Sequence, residues 1–132
     1  MDTILKTGIL NPHVLDLLAR VRHTNTLVIA DRGFPFWPQI ETVDISLVDD
    51  VPTVLDVLNA LRPNFIIGQA WMAREFKREN TKKMQYAFAR ALKRIPLTFE
   101  PHVQFKKRVP AAIGLIRTGD TTQYGNVILQ SA

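Results

Sequence analysis

Cysteine is absent from this 132-residue sequence, which excludes disulfides, thiolate metal sites and cysteine nucleophiles. Long apolar runs are absent too, since no segment approaches the roughly 18 apolar residues that a transmembrane helix needs. The first ten residues, MDTILKTGIL, lack the basic region and long apolar region of a signal peptide. We therefore expect a cytoplasmic protein that has no membrane partner.

The sequence also lacks the fingerprints of nucleotide-dependent enzymes and hydrolases. It has no P-loop, no G-x-G-x-x-G turn and no G-x-S-x-G nucleophile elbow. Its three histidines, His13, His23 and His102, show neither the i, i+3 nor the i, i+4 spacing of a helical metal site. ATP-dependent, dinucleotide-dependent and serine-hydrolase activities therefore lose their usual sequence support, and we expect no metal site.

Acidic residues are outnumbered by basic ones, and the formal net charge is +5. Much of the excess lies in residues 74–83, 91–94 and 105–108. Such charge indicates either a nucleic-acid-binding surface or the solvated faces of helices. Because no glycine-rich or aromatic-interleaved nucleic-acid motif accompanies it, we favour solvated helices and expect no nucleic-acid partner. A basic protein that acts through these charges is the alternative.

Segments with strand character alternate with segments of helical periodicity along the chain. Asn11 and Pro12 predict the start of a first helix, Pro52 opens a second, and a third runs from about Ala73 or Thr81 to Arg94. The predicted strands are residues 26–30, 43–47, 65–70, 97–100, 112–116 and 126–130. This alternation predicts a single α/β domain over residues 1–132, a three-layer α/β/α sandwich with a mostly parallel central sheet.

Polar residues lie beside several predicted strands, and α/β sheets bind ligands beyond the carboxyl ends of their strands. Asp31 and the segment RTGD (117–120) occupy such ends. Each polar residue also has a purely structural interpretation: a histidine can stabilise a helix C-terminus, and an aspartate can close a loop by bonding its backbone. The residues concerned are His23, Asp31, His102, Lys106, Tyr124 and Asn126.

The separation of His23 and Asp31 restricts how they could act together. They are eight residues apart, so a fully extended segment, which rises ~3.3 Å per residue, would place them roughly 26 Å apart. Unless residues 22–25 fold back, the two side chains cannot share one small-molecule site within a subunit. If both are functional, the simplest arrangement is a site completed by a neighbouring subunit, which predicts a homo-oligomer.

Five segments of the sequence resemble the D-ribose pyranase and L-fucose mutarotase family in order and spacing. They are GILN (8–11), RHTNTLVIADRGFP (22–35), HVQFK (102–106), IRTGD (116–120) and QYGNVIL (123–129). Members of this family interconvert ring forms or anomers of a free monosaccharide without cofactor or metal, and they assemble into rings with sites at subunit interfaces. The resemblance therefore implies an isomerase that forms a homo-oligomer with inter-subunit active sites.

The resemblance also implies roles for individual residues. The catalytic histidine of the family's G-H-T-D element falls on His23, but the flanking glycine and aspartate are Arg22 and Asn25 in this chain. The substrate-binding positions of the family fall on Asp31, His102, Lys106, Tyr124, Gly125 and Asn126.

The implied reaction is general acid–base catalysis, because the ring oxygen must gain a proton while the anomeric hydroxyl loses one. A histidine, with an unperturbed pKa of roughly 6.5, suits this work, and we expect His23 to be the proton donor. HVQFK and IRTGD favour a D-ribose pyranase that converts β-pyranose to β-furanose, whereas Gly125 favours an L-fucose-type anomer mutarotase. A sugar-binding protein that has lost catalysis through the changes at Arg22 and Asn25 is a third interpretation.

Overall fold

The computed structural model describes residues 8–132, in which a six-stranded sheet is covered by helices. The strands are β1 (Thr26–Ala30), β2 (Glu41–Asp44), β3 (Ile67–Ala73), β4 (Leu97–Glu100), β5 (Gly114–Arg117) and β6 (Val127–Ser131). The α-helices are α1 (Pro12–Ala19), α2 (Val54–Leu61), α3 (Glu75–Glu79), α4 (Lys82–Ala91) and α5 (His102–Arg108). Among the described residues, no helix is long and apolar enough to cross a membrane.

The strand order is β2-β5-β1-β6-β3-β4, and only β6 runs against its neighbours. The other adjacent pairs are parallel, which confirms the predicted α/β fold with a mostly parallel sheet. Because β6 is antiparallel, its beginning lies at the same edge of the sheet as the carboxyl ends of β1 and β5. Three chain segments that are far apart in sequence therefore meet at this edge.

Apolar side chains cover both faces of β1, which explains its continuous run of apolar residues. Leu27 and Ile29 face a core built with α1, α2 and α4. Val28 and Ala30 face a second core, to which α5 contributes Phe105. These four side chains are fully buried. This burial holds β1 rigidly, so the residues directly after it are well positioned.

Two helices differ from the sequence prediction. The third predicted helix is split into α3 and α4, because Asn80 is extended and the Thr81 hydroxyl begins a new helix by accepting the Met84 N–H. Helix α5 was not predicted at all. It is only seven residues long, ends in three basic residues and buries only Phe105, so its sequence carries almost no apolar periodicity.

Several strand boundaries also differ by a few residues. The strand predicted over 43–47 is β2, which ends at Asp44 because the Asp44 carboxylate turns the chain by accepting the Ser46 N–H. The strand predicted over 65–70 is β3, which extends to Ala73 because β4 supplies hydrogen-bonding partners as far as that residue. Sequence periodicity does not show which neighbouring strand is available, and this decides where a strand ends.

Candidate active site

A cleft of ≈ 380 Å³ opens at the edge of the sheet where β1 and β5 end and β6 begins. Its walls are residues 31–35 and residues 120–124, together with His102 from α5 and Asn126, which directly precedes β6. Of the residues predicted to bind substrate, the cleft brings together Asp31, His102, Tyr124 and Asn126. Lys106 lies one helical turn after His102 on α5, and Gly125 is buried next to the cleft wall.

The backbone of Asp31 is fixed by its neighbours on both sides of β1. The buried amide of Asn126 accepts the Asp31 N–H at 2.7 Å, across 95 positions of sequence. The guanidinium of Arg117 donates to the Asp31 carbonyl at 3.1 Å, and the Thr118 hydroxyl donates to the Ala30 carbonyl at 2.8 Å. These bonds leave the Asp31 backbone little freedom.

The carboxylate of Asp31 is half-buried in the cleft wall. Its Oδ1 accepts the Gly33 N–H at 3.0 Å. Burial raises the pKa of Asp31, because the ionised form loses hydration, and the nearby charge of Asp120 adds to the rise. Hydrogen bonding by the backbones of Gly33 and Phe34 and by the side chain of Asn126 lowers the pKa of Asp31 and partly offsets this rise. Asp31 is thus a stronger proton acceptor than an ordinary aspartate.

The imidazole of His102 is held by aromatic rings. It packs edge-on against Tyr124, with ring centroids 5.1 Å apart, and edge-on against Phe34 at 6.2 Å. The ring of Phe105 is stacked on it at 6.0 Å. This packing fixes the ring plane and gives the cleft an apolar wall beside its polar groups.

The charges around His102 favour its neutral form. Burial lowers the pKa of His102, the Lys106 cation lowers it further, and only the Glu75 carboxylate opposes this. Both oxygens of Glu75 accept the backbone N–H of His102, at 3.0 and 3.2 Å, which anchors the start of α5. The ring nitrogen Nδ1 is buried and has no hydrogen-bond partner in the described part of the chain.

The turn before β6 aims Tyr124 at the cleft. Tyr124 has a φ of 55°, the left-handed conformation that is unfavourable for a residue with a side chain. The loop is held by Asn80, whose amide donates to the Gln123 carbonyl at 2.8 Å. At Gly125, an added Cβ would lie 3.2 Å from Thr122, so the absence of a side chain lets the turn close tightly.

Three residues that form or support the cleft were not predicted individually: Asp120, Glu75 and Phe34. Asp120 is 2% exposed, and its carboxylate accepts the N–H groups of Val54 at 2.8 Å and of Thr122 at 2.7 Å. It thereby joins the start of α2 to the cleft loop. The only sequence signal was the position of RTGD after a strand. Glu75 and Phe34 gave no signal, because their partner His102 is distant in sequence.

His23 lies away from this cleft, at the opposite end of β1. It is exposed on the turn of residues 22–25, which joins α1 to β1. Thr24 has a φ of 66° and donates its N–H to the Ser131 carbonyl at 3.1 Å, so the turn is tied to the end of β6. The structure therefore does not bring His23 and Asp31 together within one subunit.

The turn that carries His23 is closed by the two residues that depart from the family's G-H-T-D element. The amide Oδ1 of Asn25 accepts the Arg22 N–H at 2.7 Å. The guanidinium of Arg22 donates to the carbonyls of Ala19 at 2.6 Å and Val21 at 3.1 Å. Arg22 therefore caps the end of α1, where a cation is favoured by the helix dipole.

We expect Asn25→Ala to lower the free energy of unfolding by about 1 kcal/mol, because the Arg22 N–H loses its acceptor. Asn25→Asp is the matched control, since a carboxylate oxygen can accept the same bond and should keep the stability close to wild type. Denaturant unfolding of the three proteins measures the difference. An alanine variant as stable as the wild type would show that this bond does not hold the turn.

Nearly the whole chain is similar to known proteins. The model of the RbsD / FucU transport protein family matches residues 4–132. A D-ribose pyranase of Geobacillus kaustophilus is 40% identical over 126 residues, covering 96% of this chain and 92% of the relative. A D-ribose pyranase of Chromobacterium violaceum is 39% identical, with 96% of each chain covered.

Two solved structures extend this similarity to three dimensions. Bacillus subtilis RbsD in complex with D-ribose is 31% identical and matches with a TM-score of 0.90 over 98% of each chain. The fucose mutarotase of Streptococcus pneumoniae in complex with L-fucose matches with a TM-score of 0.82, over 97% of this chain and 98% of that one. Its identity of 17% makes it evidence for the fold alone.

Proposed function

Because the chain belongs to the RbsD / FucU family, we propose that it is an isomerase that interconverts the β-pyranose and β-furanose forms of free D-ribose. The observation that carries this proposal is its similarity, over 96% of its length, to D-ribose pyranases that are up to 40% identical to it. The likeness to a fucose mutarotase supports the anomer mutarotase alternative less, since it is a likeness of fold. The lack of cysteine suits a reducing cytoplasm, where we place the reaction.

The chemistry of the cleft favours a small neutral sugar. Asp31, His102 and Asn126 offer acceptors and donors for hydroxyl groups, while the rings of Phe34 and Tyr124 offer apolar surface for C–H groups. The carboxylates of Asp31 and Asp120 line the cleft together with one guanidinium, that of Arg32, so the excess of negative charge disfavours a phosphorylated sugar. We assign substrate binding to Asp31, His102, Lys106, Tyr124, Gly125 and Asn126.

We assign the proton donor to His23 of a neighbouring subunit. His23 is exposed and distant from the cleft of its own subunit, so it can reach a cleft only across an interface. Exposed apolar side chains, Phe36 (71% exposed) and Leu47 (76% exposed), lie on the two loops that flank the cleft. Those loops are linked by the ion pair of Arg32 and Asp49 at 2.7 Å.

An exposed apolar surface beside a ligand site is typical of a protein interface. Burial of these loops against a second copy would cover Phe36 and Leu47 and close the cleft at the same time. This supports a homo-oligomer whose sites lie between subunits, and the ring assembly is what the family resemblance implies.

The proposed activity is tested by proton NMR on D-ribose at anomeric equilibrium. We expect catalytic amounts of the protein to produce saturation transfer from the β-pyranose anomeric signal to the β-furanose signal, above the protein-free rate. L-Fucose in a parallel sample measures α–β exchange. Exchange of fucose alone would identify an anomer mutarotase, and binding of ribose without exchange of either sugar would identify a sugar-binding protein.

A further inference from the structure

Ring opening involves a second proton transfer, and its acceptor is still unassigned. While the ring oxygen gains a proton from the donor, the anomeric hydroxyl must lose one to a base. This inference rests on the proposed function. The base must line the cleft, or lie within reach of it, and must present an atom that no backbone N–H already engages.

Two carboxylates near the cleft have both oxygens engaged by backbone N–H groups. Asp120 accepts the Val54 N–H with Oδ2 and the Thr122 N–H with Oδ1. Glu75 accepts the backbone N–H of His102 with both of its oxygens. Protonation of either group would weaken a hydrogen bond that holds the fold, so each is better suited to positioning than to proton transfer.

His102 is also poorly suited to accept the proton. A protonated imidazole carries N–H at both ring nitrogens, and Nδ1 of His102 is buried with no acceptor among the described residues. Taking up a proton would therefore bury an unpaired donor of a charged group. The neutral ring can still hold a sugar hydroxyl through its other nitrogen.

Asp31 is the remaining carboxylate of the cleft, and its two oxygens have different surroundings. Oδ1 accepts the Gly33 N–H at 3.0 Å, whereas no backbone or side-chain donor among the described residues bonds Oδ2 with standard geometry, although polar groups of Phe34 and Asn126 lie near the carboxylate. Its backbone is fixed by Asn126 and Arg117. We propose that Oδ2 of Asp31 is the base that takes the proton of the anomeric hydroxyl.

The electrostatic setting of Asp31 supports this assignment. Burial and the charge of Asp120 raise the pKa of Asp31, which makes its carboxylate a better proton acceptor near neutral pH. The carboxylate with the raised pKa is thus also the one in the cleft wall that has an oxygen not bonded to a backbone N–H.

The proton transfers balance over the full reaction. In ring opening, the anomeric O–H proton moves to Asp31, the C1–O1 bond becomes a carbonyl, and the C1–O5 bond breaks with its electron pair on O5. O5 takes the proton of His23 from the neighbouring subunit. In reclosure, O4 attacks C1, its proton passes to His23, and O1 recovers its proton from Asp31. Both groups return to their starting states, and nothing is oxidised or reduced.

The assignment is tested with Asp31→Asn, which keeps the size and the Gly33 hydrogen bond but cannot take the proton. We expect kcat for ribose exchange to fall by ~10²–10⁴-fold, with a much smaller change in KM. The thermal midpoint should be equal to or above that of the wild type, because a carboxylate whose pKa burial has raised costs stability when ionised.

Chemical rescue separates proton transfer from binding. We expect formate to restore part of the activity of Asp31→Ala in a concentration-dependent manner, after subtraction of the protein-free formate rate, because a small carboxylate can occupy the vacated space. His102→Ala is the control, which formate should not rescue. An Asp31→Asn variant that keeps the wild-type kcat, or an Asp31→Ala variant that formate leaves unchanged, would overturn the assignment. A wild-type protein without ribose exchange would instead overturn the proposed function.

Discussion

The His23→Ala variant is expected to lose ribose exchange by ~10²–10⁴-fold, the contribution of one well-placed general acid. Its fold should persist, because the His23 side chain is exposed and the turn around it is held by backbone bonds and by Asn25. Circular dichroism and gel filtration check the fold and assembly, and saturation-transfer NMR measures the exchange rate.

His13→Ala is the matched control for this variant. His13 is also exposed, lies on α1 outside the cleft, and its backbone rather than its ring bonds the cap residue Asn11. It should therefore keep the wild-type exchange rate. A His23→Ala protein with wild-type exchange would make His23 a structural residue, and the proton donor would have to be sought among the groups of the cleft.

The parts of the fold that were predictable are those in which local sequence and tertiary environment agree. The run Leu27–Ala30 is apolar on both faces of its strand, and it lies buried on both faces of the sheet. Asn11 and Pro12 start α1 as predicted, because the Asn11 side chain satisfies free N–H groups of the first turn whatever the rest of the chain does. Such features depend on neighbours a few residues away.

The parts that were missed depend on distant partners. Helix α5 is anchored by Glu75, which lies 27 positions before His102, and nothing in the sequence near His102 indicates this. In the same way, the bond between Asn126 and Asp31 spans 95 positions. The sequence pointed to the residue types in the cleft through family resemblance, but only the folded sheet shows that both oxygens of Asp120 bond backbone N–H groups whereas only Oδ1 of Asp31 does.

The sequence and the structure both indicate that His23 lies far from the Asp31 of its own subunit. An extended segment already placed His23 and Asp31 too far apart to share a site, and the structure keeps them at opposite ends of β1. If both take part in one reaction, each active site must combine residues of two subunits. That requirement leads to a prediction that no single-residue variant can test.

Mixed oligomers of His23→Ala and Asp31→Asn subunits are expected to recover activity that neither variant has alone. If subunits assemble at random, about one site in four pairs an intact His23 with an intact Asp31 from its neighbour, and removal of the unmixed oligomers raises this fraction, so exchange should reach at least about a quarter of the wild-type rate. Co-expression with two different affinity tags, followed by purification on both, isolates the mixed species for NMR.

The control replaces the Asp31→Asn partner with a subunit that carries both substitutions. Co-assembly with His23→Ala then leaves no intact His23 in any site, so activity should stay at the background of the single variants. Recovery in the first mixture but not in the second requires that one subunit supplies the histidine and another the aspartate. Mixed oligomers as inactive as their parents would place both residues in the same subunit's site, which the rigid burial of β1 between them argues against.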